Sequence, residues 1–133
     1  MAPTTHALGL IDTDILVDAT RGLVDAVTFL AAQQAAAGVQ VSVISAMELI
    51  AGCRNAVELV QVQQFLNRVT VLPITSCILQ TAYQLMQTFY LSHGLLIPDS
   101  LIAATALESG LTLFTKNTRH FQMIPGLNVL RPY

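Results

Sequence analysis

The stretch Leu8-Gly9-Leu10-Ile11-Asp12-Thr13-Asp14-Ile15-Leu16-Val17 passes without a linker from one apolar run, through two acids, into another. Apolar continuity over residues 8–11 reads as a buried strand, and Ile15-Leu16-Val17 as the first turn of a helix. Asp12 and Asp14 therefore fall on a strand-to-helix junction. Two more junctions of this kind follow: Glu48 after a strand at residues 39–44, and Asp99 at the head of a helical run over 99–108. These four side chains are half of the eight acids in the chain. An open α/β sheet sets such junctions along its carboxyl edge, where ligands bind. Carboxylates gathered there repel one another when alone. Around a hard dication such as Mg²⁺ or Mn²⁺, which takes several oxygen ligands, they become favourable.

Working outward, further β-branched apolar runs mark strands at residues 69–74 and 111–115, and a shorter one at 128–130. Helices are expected at 24–37, 46–52, 57–68, 76–92 and 101–109. Gly38 and Gly110 stand where helices close before a buried strand, and Thr75 stands where one is capped. Strands alternating with helices predict an α/β fold: a central, mainly parallel sheet of about five strands, helices on both faces, right-handed crossovers. At 133 residues, with no internal linker, the expectation is one domain over residues 1–133.

Charged residues make up 11% of the chain and hydrophobic ones 53%. Against the roughly 25% charge of ordinary soluble domains, this predicts apolar surface covered by another chain. No window approaches the ~20 uninterrupted apolar residues of a membrane span; the richest, residues 29–52, is broken by Gln33, Gln34, Gln40 and Glu48. Residues 1–6 lack the charge and following apolar core of a secretory signal, so cytoplasmic residence is expected. Cys53 and Cys77 are too far apart for a paired-cysteine motif and are expected as two buried thiols. The net charge is −2, but setting aside the four junction acids leaves four acids against six bases. Arg21, Arg54, Lys116 and Arg119 lie near the junctions, either as contacts for nucleic-acid phosphates or as ordinary solubilising charges.

Each acid also has a local reading. Asp12 suits a helix cap, Ser45-Ala46-Met47-Glu48 matches a capping box with Ser45 as the cap, and Asp99 after Pro98 suits the first turn of a helix. Capping and metal ligation are compatible, since helix amino termini favour ionised carboxylates.

Four segments in order, Asp12-Thr13-Asp14-Ile15-Leu16-Val17-Asp18, Ser45-Ala46-Met47-Glu48-Leu49, Ile97-Pro98-Asp99-Ser100-Leu101-Ile102-Ala103-Ala104-Thr105-Ala106 and Leu113-Phe114-Thr115-Lys116-Asn117-Thr118-Arg119-His120-Phe121, resemble the four motifs of a PIN domain. The likeness is to the VapC-type toxins of toxin–antitoxin pairs and runs from about Leu8 to Leu130. It implies a Mg²⁺- or Mn²⁺-dependent endoribonuclease that hydrolyses RNA with a metal-activated water. It also implies inhibition by a cognate antitoxin and a homodimer within the toxin–antitoxin complex. Carried over by position, Asp12, Glu48 and Asp99 match the acidic triad, and Asn117 stands where many members have a fourth acid. Asp14 matches a commonly polar auxiliary position. Thr13 and Thr115 are hydroxyl donors to water or phosphate, or local caps. His120, where many members carry Asp, is expected as a surface side chain beside Phe121.

Two other readings compete. Asp12-Thr13-Asp14 after a strand imitates a haloacid-dehalogenase-like phosphohydrolase, although no acid follows Glu108 to complete that site. A PIN domain that has lost catalysis and only binds would lack some of Asp12, Glu48 and Asp99.

Overall fold

The computed structural model describes residues 8–133; the expectation for residues 1–6 lies outside them. Five short strands, β1 (Gly9–Ile11), β2 (Gln40–Ser42), β3 (Thr70–Leu72), β4 (Thr112–Phe114) and β5 (Val129–Leu130), form one sheet in the order β3-β2-β1-β4-β5. Every pairing is parallel. The helices are α1 (Thr13–Thr20), α2 (Val24–Ala36), α3 (Val43–Ala51), α4 (Ala56–Leu66), α5 (Ser76–His93) and α6 (Ile97–Ser109).

The pleat explains the two-sided covering. Successive strand residues face opposite sides, so Leu10 and Leu113 enter one core with Ile78, Ala82 and Ile102 of α5 and α6. Their neighbours Ile11 and Phe114 enter the other, with Ile15, Leu16, Ala26, Leu30 and Leu49. A strand buried on both faces must be apolar throughout, as residues 8–11 are.

The expected elements are all present, with shifted ends. Strand 39–44 stops at Ser42, because Ser42 itself caps α3: its Oγ accepts the Ile44 N–H at 3.0 Å. Ser45 is therefore not a cap, and Glu48 does not close a capping box; both lie inside α3. The last long helix begins at Ile97 rather than Leu101, with Pro98 in its first turn, where its missing N–H costs no bond. Gly38 and Gly110 do adopt positive φ. The two thiols depart from expectation: Cys77 is exposed near the start of α5, and Cys53 is half-buried just after α3.

Candidate active site

Ile11 and Phe114 are paired in register, and the Asp12 N–H extends that ladder by donating to the Phe114 carbonyl at 2.9 Å. Asp12 and Thr115 are thus the first residues past neighbouring strand ends. From β1 the chain departs to β2 on one side, while β4 lies on the other. This is the switch point at which an open sheet leaves a crevice.

Asp12 caps α1 and is only 5% exposed. Its Oδ1 accepts the Thr13 N–H at 2.7 Å, and its Oδ2 accepts the Thr115 hydroxyl at 2.8 Å. Asp14, in the first turn of α1, accepts the Ile15 N–H at Oδ1 (2.8 Å). Its Oδ2 accepts the main-chain N–H of Lys116 at 2.9 Å and the Asn117 amide at 3.3 Å. The Thr13 hydroxyl donates to Glu48 Oε1 at 2.7 Å and lies 2.8 Å from Ser45 Oγ. Asp99, half-buried in the first turn of α6, has His120 Nδ1 3.8 Å from its Oδ2.

Charge links these acids beyond the hydrogen bonds. Burial, and then the Asp14 and Asp99 charges, push the Asp12 carboxyl up to about 7 against the opposing bonds from Thr115 and Thr13. Asp99 is raised too, first by burial; His120 opposes the rise, while Glu48 and Asp14 add to it. Among the described residues no three acid, His or Cys side chains close into a finished metal shell. The donor set nevertheless fits a hard dication: all donors are oxygen, and a nearby cation would offset the penalty that burial and acidic neighbours place on ionised Asp12.

A cleft of about 750 Å³ lined by residues of α1, α3 and α4 reaches Glu48, with Arg21, Cys53, Arg54 and Phe65 also on its walls. Of the four bases, Arg54 pairs with Glu58 at 2.7 Å and Lys116 with Asp18, whereas Arg21 and Arg119 have no ion pair among the described residues; all but Lys116 are exposed. His120 is exposed as expected, but it turns toward Asp99. Ser45 and the Lys116 main-chain N–H join the site unforeseen. The three-residue spacing of Ser45 and Glu48 places both on one helix face; that face meets Thr13, which the capping-box match obscured.

Apolar side chains including Val24, Val57, Tyr83, Leu91 and Ile97 remain exposed, in keeping with the low charge. No helix among the described residues is long and apolar enough to cross a membrane.

Comparison with known proteins gives concordant results. A PIN domain family model matches residues 9–127. Ribonuclease VapC10 of Mycobacterium tuberculosis is 37% identical over 119 residues, 89% of each chain. Ribonuclease VapC19 of the same organism is 37% identical over 124 residues, spanning 89% of this chain and 95% of that one. A toxin–antitoxin complex from Klebsiella pneumoniae contains a chain that superposes with a TM-score of 0.78 at 31% identity, covering 94% of this chain and 98% of its own.

Proposed function

Because this chain belongs to the PIN domain family, we propose that it is an endoribonuclease toxin that hydrolyses RNA with the help of Mg²⁺ or Mn²⁺ and is silenced by a cognate antitoxin. The ribonuclease relatives and the toxin–antitoxin neighbour support this reading over a phosphohydrolase. The observation that carries the chemistry is the coupled set of carboxylates at the crevice, with Asp12 pushed up to about 7 by burial and by its acidic neighbours.

In this reading Asp12, Glu48 and Asp99 hold the divalent cation, with Asn117 and Asp14 beside them. When bound, the cation supplies a nucleophile near neutral pH and polarises the scissile phosphate. The protein's own part is placement. Thr115 and the Thr13 N–H fix both oxygens of Asp12, and the Thr13 hydroxyl fixes Glu48. Exposed Arg21 and Arg119 meet the RNA backbone electrostatically. The cleft that ends at Glu48 suits a segment of the antitoxin, whose own base would neutralise the carboxylates in place of the cation.

Protein freed of any partner is expected to cleave structured RNA with Mg²⁺ or Mn²⁺, to stop in EDTA, and to leave 5′-phosphate and 3′-hydroxyl ends. Cleavage surviving chelation, or 2′,3′-cyclic phosphate ends, would exclude this mechanism. A mere binding module would bind metal without cutting.

Asn117→Asp is expected to separate the loaded and metal-free states. It replaces an amide 3.3 Å from Asp14 Oδ2 with a like charge. The metal-free protein should lose about 1 kcal/mol, a few degrees of melting temperature, while Mn²⁺ binds more tightly. Calorimetric titration and melting with and without Mn²⁺ read both effects; no change in either would place Asn117 outside the metal's surroundings.

A further inference from the structure

Lys116 is held at every one of its polar groups. Its N–H donates to Asp14 Oδ2 at 2.9 Å, and its carbonyl accepts from Arg131 Nη1 at 3.3 Å. Its ammonium pairs with Asp18 Oδ2 and lies 5.9 Å from the centre of the Tyr133 ring. Tyr133 closes the circuit by donating its phenol hydroxyl to the same Asp18 oxygen at 2.8 Å. The Lys116 and Asp18 side chains are 28% and 18% exposed, so this pair is better sheltered than an ordinary surface ion pair, which contributes little. Asp18 is consequently held below the usual carboxylate range, chiefly by Lys116, and Tyr133 is raised by burial and by its bond to Asp18.

The position of this clamp gives it a consequence beyond stability. Asp14 and Asp18 are four residues apart on α1 and so share a helix face; one grips Lys116 by its main chain, the other by its side chain. Lys116 sits between Thr115, which donates to Asp12, and Asn117, which donates to Asp14. Fixing Lys116 fixes both.

We propose that Asp18 and Tyr133 are positioning residues that act through Lys116 to hold residues 115–117 against Asp12 and Asp14, and thereby set the divalent-cation affinity of the carboxylate site. The inference rests on the metal reading above. Neither residue hydrogen-bonds Asp12, Glu48 or Asp99; each orders the groups that order the ligands, and outer partners of this kind tune metal affinity.

Tyr133→Phe removes one hydrogen bond without changing charge, and Tyr133→Leu removes the ring contact as well. In both, the Lys116 amide should exchange with solvent faster than in the wild type when metal is absent. Mn²⁺ affinity by calorimetry should fall, by roughly tenfold in the Leu variant. Saturating Mn²⁺ should restore the wild-type cleavage rate, because the deficit is in affinity and not in chemistry. A lower melting temperature with unchanged Mn²⁺ affinity in both Tyr133 variants would overturn the proposal, leaving a purely structural contact. So would an unchanged Lys116 exchange rate. If the wild type itself bound no Mn²⁺, the metal reading would fall and this inference with it; wild-type binding with unaltered variants would remove the inference alone.

Discussion

Asp12→Asn is expected to reduce RNA cleavage at least about 100-fold and, in the same molecule, to make the metal-free protein more stable at pH 8. The loss follows from the proposed role of Asp12 as a cation ligand, since removing a single well-placed charge-stabilising group costs on the order of 10²–10³ in rate. The gain follows from the Asp12 environment. Its folded pKa of about 7 lies above the ordinary 3.8. The protonated form is therefore favoured by folding, and the ionised form is penalised. In the metal-free wild type, stability contributed by this group is full below about pH 4 and declines as pH rises through about 7. It stays low above that, by an amount on the order of 4 kcal/mol at most. Asp99, also raised, adds to the decline. Asp18 is lowered, so its own contribution is lost only as pH falls below the ordinary carboxylate range, outside this window. Asn keeps an oxygen for the Thr13 N–H and cannot ionise, so the decline between pH 4 and 7 should flatten. Mn²⁺ should raise the wild-type melting temperature at pH 8 more than that of the variant, because a ligand stabilises only the state that binds it. A cleavage assay with Mn²⁺ checks the loss, and melting curves at pH 5 and pH 8, with and without Mn²⁺, check the stability. A variant less stable than the wild type at pH 8 without metal would contradict the burial argument.

Gly9→Ala is expected to be among the most destabilising single-methyl additions in the chain. A Cβ at Gly9 would lie 2.1 Å from Phe114 Cε2 and 2.6 Å from Cδ2, with the Thr112 carbonyl oxygen at 3.1 Å. The ring has little room to retreat: Phe114 is 6% exposed and packs edge-on against Phe29 with centroids 5.1 Å apart. Overpacking of this kind costs about 3 kcal/mol, roughly 10 °C in melting temperature for a domain of this size. The decisive comparison is a double variant. Phe114→Leu should be harmful in the wild type and much less harmful in the Gly9→Ala background, because it removes the clashing ring edge. Additive losses would locate the damage elsewhere. The same displacement disturbs the β1–β4 pairing that carries Asp12 and Thr115, so activity should fall with stability.

The sequence made the acids at the junctions visible because strand, acid and helix follow one another within a few residues. Asp12 as a cap, Asp99 in a first turn and Gly110 at a helix end are local facts, set by backbone groups that neighbouring residues must satisfy. Ser45 shows where local reading stops. Its text matches a capping box, but β2 has already ended at Ser42, and the helix starts at Val43 with no loop between them. Cys53 and Cys77 were placed by residue type, whereas their exposure depends on which helix faces remain uncovered. The partners of Lys116 were invisible for a plainer reason: Asp18 and Tyr133 lie 115 residues apart, and no periodicity announces such a meeting.

The hydrogen bond from Thr115 to Asp12 joins residues 103 positions apart, just past the ends of the neighbouring strands β4 and β1. On a ribosome adding about 5–20 residues per second, Asp12 is synthesised some 5–20 s before Thr115. Parallel pairing across so long a loop is also slow to nucleate. A truncated product that stops between Asp99 and β4 therefore carries Asp12, Glu48 and Asp99 but not the strand that aligns Asp12. The order of synthesis thus leaves the site unassembled until nearly the whole chain exists.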